Sequence, residues 1–202
     1  MPQKTDNKKF AYDFEQPIKE LDERIRELRH KAAEEARDFS SEIKSLEQER
    51  DEKLRDIFKN LTAYQRIMLA RHPLRPQSLD YAELIFEDFL ELHGDRRFGD
   101  DKAIVTGLAR LNGRRVMLIA QQKGREVQEK KKRNFGMPEP EGYRKALHKM
   151  RLAEKFSIPV VCLIVTPGAA PSVGAEERGQ GMALAENIFA MSGLRTPTVV
   201  VV

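Results

Sequence analysis

The sequence holds a single cysteine, Cys162, among 202 residues, and no tryptophan. One thiol cannot close a disulfide within the chain or build a cysteine-based metal cluster. Long apolar runs are also missing, since nothing approaches the roughly 18 consecutive apolar residues of a membrane-spanning helix. The polar start Met-Pro-Gln-Lys-Thr-Asp-Asn-Lys-Lys has no apolar stretch behind it and does not read as a secretory signal. A cytoplasmic protein without a membrane partner is therefore expected. Charge of one sign is scarce as well. The balance is 36 − 32 = +4, too small to demand nucleic acid as the main partner. With 40% hydrophobic and 34% charged residues, the chain is lean in apolar groups but can still build a core.

Glycine is absent before Gly94, and the first 60 residues hold only Pro2 and Pro17. Charge divides at the same place: residues 1–60 net 14 − 16 = −2, and the rest nets 22 − 16 = +6. Two physical units are expected. Residues 1–16 read as a flexible N-terminus. Residues 17–76 read as a helical arm or hairpin ending in the proline-rich linker Arg71-His72-Pro73-Leu74-Arg75-Pro76. Pro17 suits a first helical turn. Ile18, Leu21, Ile25, Leu28 and Ala32 form an apolar stripe, and Phe39, Ile43, Leu46, Leu54, Ile57, Leu61 and Tyr64 form a second. Ser40 or Ser41 can cap a new helix, so two antiparallel helices and one long helix both fit.

Residues 77–202 read as α/β. A helix is expected from Ser78-Leu79-Asp80, with Tyr81, Leu84, Ile85 and Phe89 on one face and a stop at His93-Gly94-Asp95. Ala103 to Leu111 and Val116 to Ala120 read as strands joined by an Asn112-Gly113 hairpin turn. Tyr143 to Phe156 and Gly179 to Met191 read as helices. The run Val160 to Val165 reads as a strand buried on both faces, and Pro197 to Val202 opens another. Alternation of strand and helix asks for an element after that last strand. The sequence thus reads as stopping before its domain does.

Three segments can carry chemistry. Thr166-Pro167-Gly168-Ala169-Ala170-Pro171-Ser172-Val173-Gly174 follows a strand and precedes a helix, the place where α/β folds bind ligands. The N–H groups of Gly168 and Ala169 can point at an anion and stabilise a developing oxyanion; a plain tight connection fits the same residues. Glu176-Glu177-Arg178-Gly179-Gln180 opens the next helix, where acids suit the dipole. Lys123-Gly124-Arg125 and Lys130 to Arg133 put six cations against two acids. They suit phosphates of a nucleotide-like ligand or an acidic partner, although no Gly-Lys-Ser/Thr phosphate loop is present. Only Phe135 is there to stack on single-stranded nucleic acid. His30, His72, His93 and His148 lack metal-ligand spacing, so no metal site is expected. Cys162 reads as an inert core residue.

Several motifs in order also carry a family resemblance. They are Asp13-Phe14-Glu15-Gln16-Pro17-Ile18, Ala70-Arg71-His72-Pro73, Leu79-Asp80-Tyr81, Glu91-Leu92-His93-Gly94-Asp95-Arg96 and Gln122-Lys123-Gly124-Arg125. Further on come Arg133-Asn134-Phe135-Gly136-Met137-Pro138, Pro140 through Leu147, Thr166-Pro167-Gly168-Ala169, and Gly174-Ala175-Glu176-Glu177-Arg178-Gly179-Gln180. From about Tyr12 onward the chain resembles the alpha subunits of bacterial acetyl-coenzyme A carboxylase carboxyltransferases.

The resemblance implies a crotonase (ClpP-like) fold of ββα units over residues 77–202, incomplete at the C-terminus. It implies transfer of a carboxyl group from carboxybiotin, on a biotin carboxyl carrier protein, to acetyl-CoA. The product is malonyl-CoA for fatty acid synthesis. The implied partners are a beta subunit in an α2β2 assembly and biotin carboxylase. No cofactor is implied on this chain, and zinc only in the beta subunit. ATP and nucleotide binding come with the enzyme system. The resemblance makes Gly168 and Ala169 the oxyanion donors. Lys123, Gly124, Arg125, Arg133, Ala170, Glu176 and Arg178 become substrate or partner contacts. Three positions depart from the family's Asp-Thr-Pro-Gly-Ala-Tyr-Pro-Gly pattern, with Val165 for Asp, Ala170 for Tyr and Ser172 for the last Gly. Together with the short length, these departures predict no activity for the 202-residue chain alone. They also admit a noncatalytic interaction protein. A hydrolase using Ser172 is the weakest alternative, because no histidine can be assigned as its base.

Overall fold

A computed structural model describes residues 12–35 and 38–202. Most of the segment expected to be a flexible N-terminus lies outside these residues. The chain divides into two compact units, Met1–Arg75 and Pro76–Val202.

The first unit is helical. A short 3-10 turn, Asp13–Glu15, leads into α1 (Gln16–Glu35), and α2 spans Ser40–Lys59. Asp22 pairs with Arg50 at 3.6 Å and Arg29 with Glu47 at 2.6 Å, so the two helices run antiparallel. Ile25 and Leu46 are the buried members of their stripes. The hairpin alternative is therefore the observed one. Neither serine side chain caps α2. The Asp38 carboxylate does so instead, accepting from the Ser40 N–H at 2.9 Å. The second stripe is not one helix either. α2 stops at Lys59, and α3 (Ala63–Ala70) starts anew at a capping box. Thr62 Oγ1 accepts from Gln65 N–H at 3.2 Å, and Gln65 Oε1 accepts from Thr62 N–H at 2.8 Å. Thr62→Ala is expected to cost about 1 kcal/mol of this unit's stability, measurable by urea titration. No change in midpoint would show the cap to be idle. The Tyr12 hydroxyl donates to the Met68 carbonyl at 2.9 Å, tying the segment before α1 to α3.

The second unit is built on a five-stranded sheet. α4 (Ser78–Ile85) is shorter than the sequence suggests, and Glu87–Glu91 is strand β1. Leu84 and Ile85 are exposed, and Phe89 lies on the strand rather than on the helix face. The reason is pairing across Gly107. A Cβ there would lie 2.5 Å from both Leu90 O and Phe89 Cε2, so only glycine lets β1 approach. Gly107→Ala is expected to cost about 1–3 kcal/mol by forcing that pair apart. A thermal melt unchanged by the substitution would refute the close approach.

β2 (Ile104–Leu111) and β3 (Arg114–Gln121) form the expected hairpin. Asn112 (φ 49°) and Gly113 (φ 74°) both take the left-handed conformation that such a two-residue turn needs. After β3 come a short helix α5 (Val127–Lys132) and α6 (Pro140–Lys155). β4 (Val160–Leu163), α7 (Val173–Glu177), α8 (Gln180–Ser192) and β5 (Thr198–Val201) follow. The sheet order is β1-β2-β3-β4-β5, antiparallel through β3 and parallel after it.

The strand period of two sorts the core. Ile104, Met117, Ile119, Val160 and Cys162 face α6 through Ala146, Met150 and Ala153. Ala109, Val116, Leu118, Ala120 and Leu163 face α4 through Ala82 and Phe86. Both faces of the sheet are thus covered, and each fully buried large side chain contributes about 1.5–3 kcal/mol. β5 does not join this core. It pairs with β4, and Thr198–Val201 are exposed among the described residues.

Candidate functional site

The turn after β4 is held by side chains that spacing rules do not single out. Gln121, at the end of β3, accepts from the Val165 N–H through Oε1 at 3.0 Å. The backbone where the family pattern has Asp is therefore oriented by a neighbouring amide. The Thr166 hydroxyl lies 2.8 Å from the Gly136 carbonyl and accepts from the Gly168 N–H at 3.0 Å. Gly168 takes φ +145°, which side chains with a Cβ rarely adopt, and open space surrounds the place where a Cβ would be.

This changes the expected division of labour. The Gly168 N–H is already engaged by Thr166. Among the described residues the Ala169 N–H has no partner, and Ala169 is only half-buried. The turn thus offers one donor, not two. Ala170 is also reassigned. At 2% exposure its side chain packs inward, while its N–H donates to the Pro138 carbonyl at 2.9 Å. Ser172 caps α7, accepting from the Ala175 N–H at 3.1 Å, and no base faces it among its hydrogen bonds.

The basic segment folds inward more than its charge suggests. Arg125 makes a two-pronged pair with Asp80, at 2.9 and 2.6 Å. That hydrogen bond holds the Asp80 carboxyl below the usual carboxylate range. Arg133 binds Glu129 at 3.0 Å and the Lys102 carbonyl at 2.8 Å. Gly124 is buried, donates its N–H to Gln77 Oε1 at 2.9 Å, and leaves no room for a Cβ beside Glu129. Gly124, Arg125 and Arg133 therefore build the segment. Lys123, Lys130, Lys131 and Lys132 carry no ion pair among the described residues. Lys123 lies against Gly136, the residue whose carbonyl meets the turn at the Thr166 hydroxyl. Asn134, Phe135 and Gly136 are successive left-handed residues (φ 45°, 55° and 79°), which leave Phe135 exposed beside this junction.

The Glu176–Gln180 run does not open one helix. Glu176 lies exposed on α7, and Gly179 (φ 80°) separates α7 from α8. Arg178 pairs with Glu139 at 2.5 Å and Glu141 at 2.8 Å, and its guanidinium sits 4.8 Å from the centre of the Phe98 ring. Bonding to Glu141 raises its already high pKa. The Arg144 guanidinium donates to the Arg178 carbonyl. Arg178 is thus a tie between the start of α6 and the start of α8.

Burial pushes the Cys162 thiol up, as an inert core residue requires. Among the described residues no group of His, Cys, Asp and Glu could hold a metal ion. Among them too, no helix is long and apolar enough to cross a membrane.

Comparison with known proteins fits this geometry. A family model described as acetyl co-enzyme A carboxylase carboxyltransferase-like matches residues 11–202. The acetyl-coenzyme A carboxylase carboxyl transferase subunit alpha of Methylococcus capsulatus is 56% identical over 190 residues, covering 94% of this chain and 59% of the relative. That of Thiobacillus denitrificans is 55% identical over 187 residues, covering 93% and 58%. The chain spans about three-fifths of the length of these curated relatives. A solved single-chain, multi-domain long-chain acyl-CoA carboxylase matches 64% of this chain and 12% of its own at 26% identity and a TM-score of 0.52. The crotonase-type α/β fold is the one that the motifs imply.

Proposed function

The chain belongs to the acetyl-coenzyme A carboxylase carboxyltransferase family, and on that premise we propose that it serves as the alpha subunit of a biotin-dependent carboxyltransferase. The observation that carries this reading is the family match from residue 11 to residue 202, which takes in every motif around the turn. The reaction is transfer of a carboxyl group from carboxybiotin, presented on a carrier protein, to acetyl-CoA, giving malonyl-CoA. A beta subunit completes an α2β2 enzyme and holds its own zinc; biotin carboxylase recharges the carrier. Extended identity to alpha subunits disfavours a purely noncatalytic interaction protein. ATP binding by this chain has no support and is not part of the proposal.

The chemistry asks for donors aimed at oxygen. Loss of the carboxyl group leaves negative charge on the ureido oxygen of biotin. Loss of an α-proton builds charge on the thioester carbonyl. A fixed N–H aimed at either oxygen lowers the barrier without reorganising. Ala169 N–H is the donor we assign, with Gly168 supplying the backbone angle and Thr166 fixing it. Lys123 supplies positive charge beside the turn for a carboxylate or phosphate. Lys130 to Lys132 and Glu176 are exposed or half-buried and are proposed as contacts with a partner protein.

The test combines the complete gene product with a carboxyltransferase beta subunit, carboxybiotinylated carrier and acetyl-CoA. Malonyl-CoA is expected only when this chain is present. No product with every component active would overturn the reading.

A further inference from the structure

Gln180 opens α8 and is 3% exposed. Its Nε2 donates to the Pro138 carbonyl at 2.9 Å and to the Ala170 carbonyl at 3.3 Å. The same Pro138 carbonyl accepts from the Ala170 N–H. One side-chain amide thus closes a ring that clamps Ala170 to Pro138. Thr166 fixes Gly168 on one side of Ala169, and Gln180 fixes Ala170 on the other. The residue with the unengaged N–H lies between two anchored neighbours.

The amide's orientation is settled by its partners. Turned over, Oε1 would face two carbonyl oxygens. As it stands, Oε1 is buried with no hydrogen-bond partner. An unsatisfied buried acceptor is destabilising and offsets part of what the two donated hydrogen bonds contribute, so the net gain in fold stability from this amide is small. An apolar side chain of similar size would remove that cost but leave the Ala170 carbonyl without its donor.

We infer that Gln180 is a positioning residue for carboxyl transfer, holding the Gly168–Ala170 turn so that the Ala169 N–H meets the charged oxygen. This rests on the carboxyltransferase reading above. Gln180 touches no substrate and acts through the backbone of Ala170.

Asn187 provides a matched control on the same helix. It is also buried, and its Nδ2 also donates to two carbonyls, Tyr143 O at 2.9 Å and Ala183 O at 2.8 Å, but neither belongs to the turn. In the assembled enzyme, Gln180→Leu is expected to lower kcat about 10- to 100-fold through misplacement of the donor. KM for acetyl-CoA should stay within about twofold, because the lost interaction belongs to the transition state. Asn187→Leu should lower the melting temperature and leave kcat in place. Equal losses of kcat in both variants, or an unchanged kcat in Gln180→Leu, would overturn the inference.

Gln180→Glu tests the same point without a change of shape. The introduced carboxylate would face two carbonyl oxygens when ionised and donate to one when protonated. Its kcat relative to wild type is therefore expected to rise as pH falls from about 8 to about 6, the range into which burial lifts such a carboxyl. A flat ratio would count against the positioning role. An inactive wild-type assembly would instead sink the carboxyltransferase reading itself, and this inference with it; that result is visible without any variant.

Discussion

Ala169→Pro is expected to lower kcat for malonyl-CoA formation about 10²- to 10³-fold, the loss typical of removing one oxyanion donor. Proline deletes the N–H and nothing else that the turn uses. The Ala169 N–H has no hydrogen bond among the described residues, and Ala169 does not require a positive φ. Gly168, having no Cβ, escapes part of the steric restriction that proline imposes on the residue before it. Stability should therefore change little while the rate collapses, a separation that a melt and an initial-rate assay on one preparation can read. Gly168→Ala supports the same argument from the other side. Its Cβ would meet nothing within 4 Å, so any loss must come from the φ of +145° that alanine resists. About a tenfold fall in kcat is expected as the turn relaxes. If Ala169→Pro kept kcat within about twofold, the turn would not be the donor.

Much of this architecture can be read from the sequence, and the failures share a cause. The β2–β3 hairpin, α6, β4 and α8 follow from their own apolar patterns and turn residues, which are local signals. β1 does not follow. Its residues continue the helical spacing of α4, and only the bare Cα of Gly107, distant in sequence, draws them into the sheet. The break before α3 was legible in principle, since Thr62 and Gln65 have capping-box spacing, but the apolar stripe running through it is the stronger signal.

The site shows the same pattern. Gly168 and Ala169 stand out because a proline-glycine turn after a strand is a local feature. Thr166, Gln121 and Gln180 do not, because each takes part of its meaning from a partner 30 or more residues away. Charge is only half legible. Arg125, Arg133 and Arg178 look like ligand contacts in the sequence, and the structure adds that each also pairs with an acid of this unit: Asp80, Glu129, and Glu139 with Glu141.

The second unit also buries a cation, Lys145. Lys145→Met is expected to destabilise the second unit by about 3 kcal/mol, near the lower end for breaking a buried pair because one partner is partly exposed. The Lys145 side chain is 1% exposed and that of Asp100 is 27%. Its Nζ donates to Asp100 Oδ1 at 2.6 Å and to the Asp101 carbonyl at 2.7 Å. Methionine fills the volume but leaves that carbonyl unpaired. The melting temperature should fall by about 10 °C for a unit of this size. The pH dependence identifies the pair. Burial opposes ionisation of Asp100, yet the bonds from Lys145 and the Gly94 N–H hold its carboxyl below the usual carboxylate range. A lowered folded pKa gives stability that is fully present above the unfolded value of about 3.9 and is lost as pH falls through the folded one. The gap between wild type and Lys145→Met should therefore be widest above about pH 4 and shrink below it. Asp101 contributes with the opposite sign. Burial raises its carboxyl, so its contribution is complete below the unfolded pKa and is lost as pH rises through the folded one. In Lys145→Met the Asp101 carboxyl loses the lowering influence of the Lys145 charge and rises further, so this term also widens the gap toward neutral pH. A gap that stayed constant from neutral pH to the acid limb would mean that Lys145 acts by packing alone, and that Asp100 owes its ionisation to the Gly94 N–H.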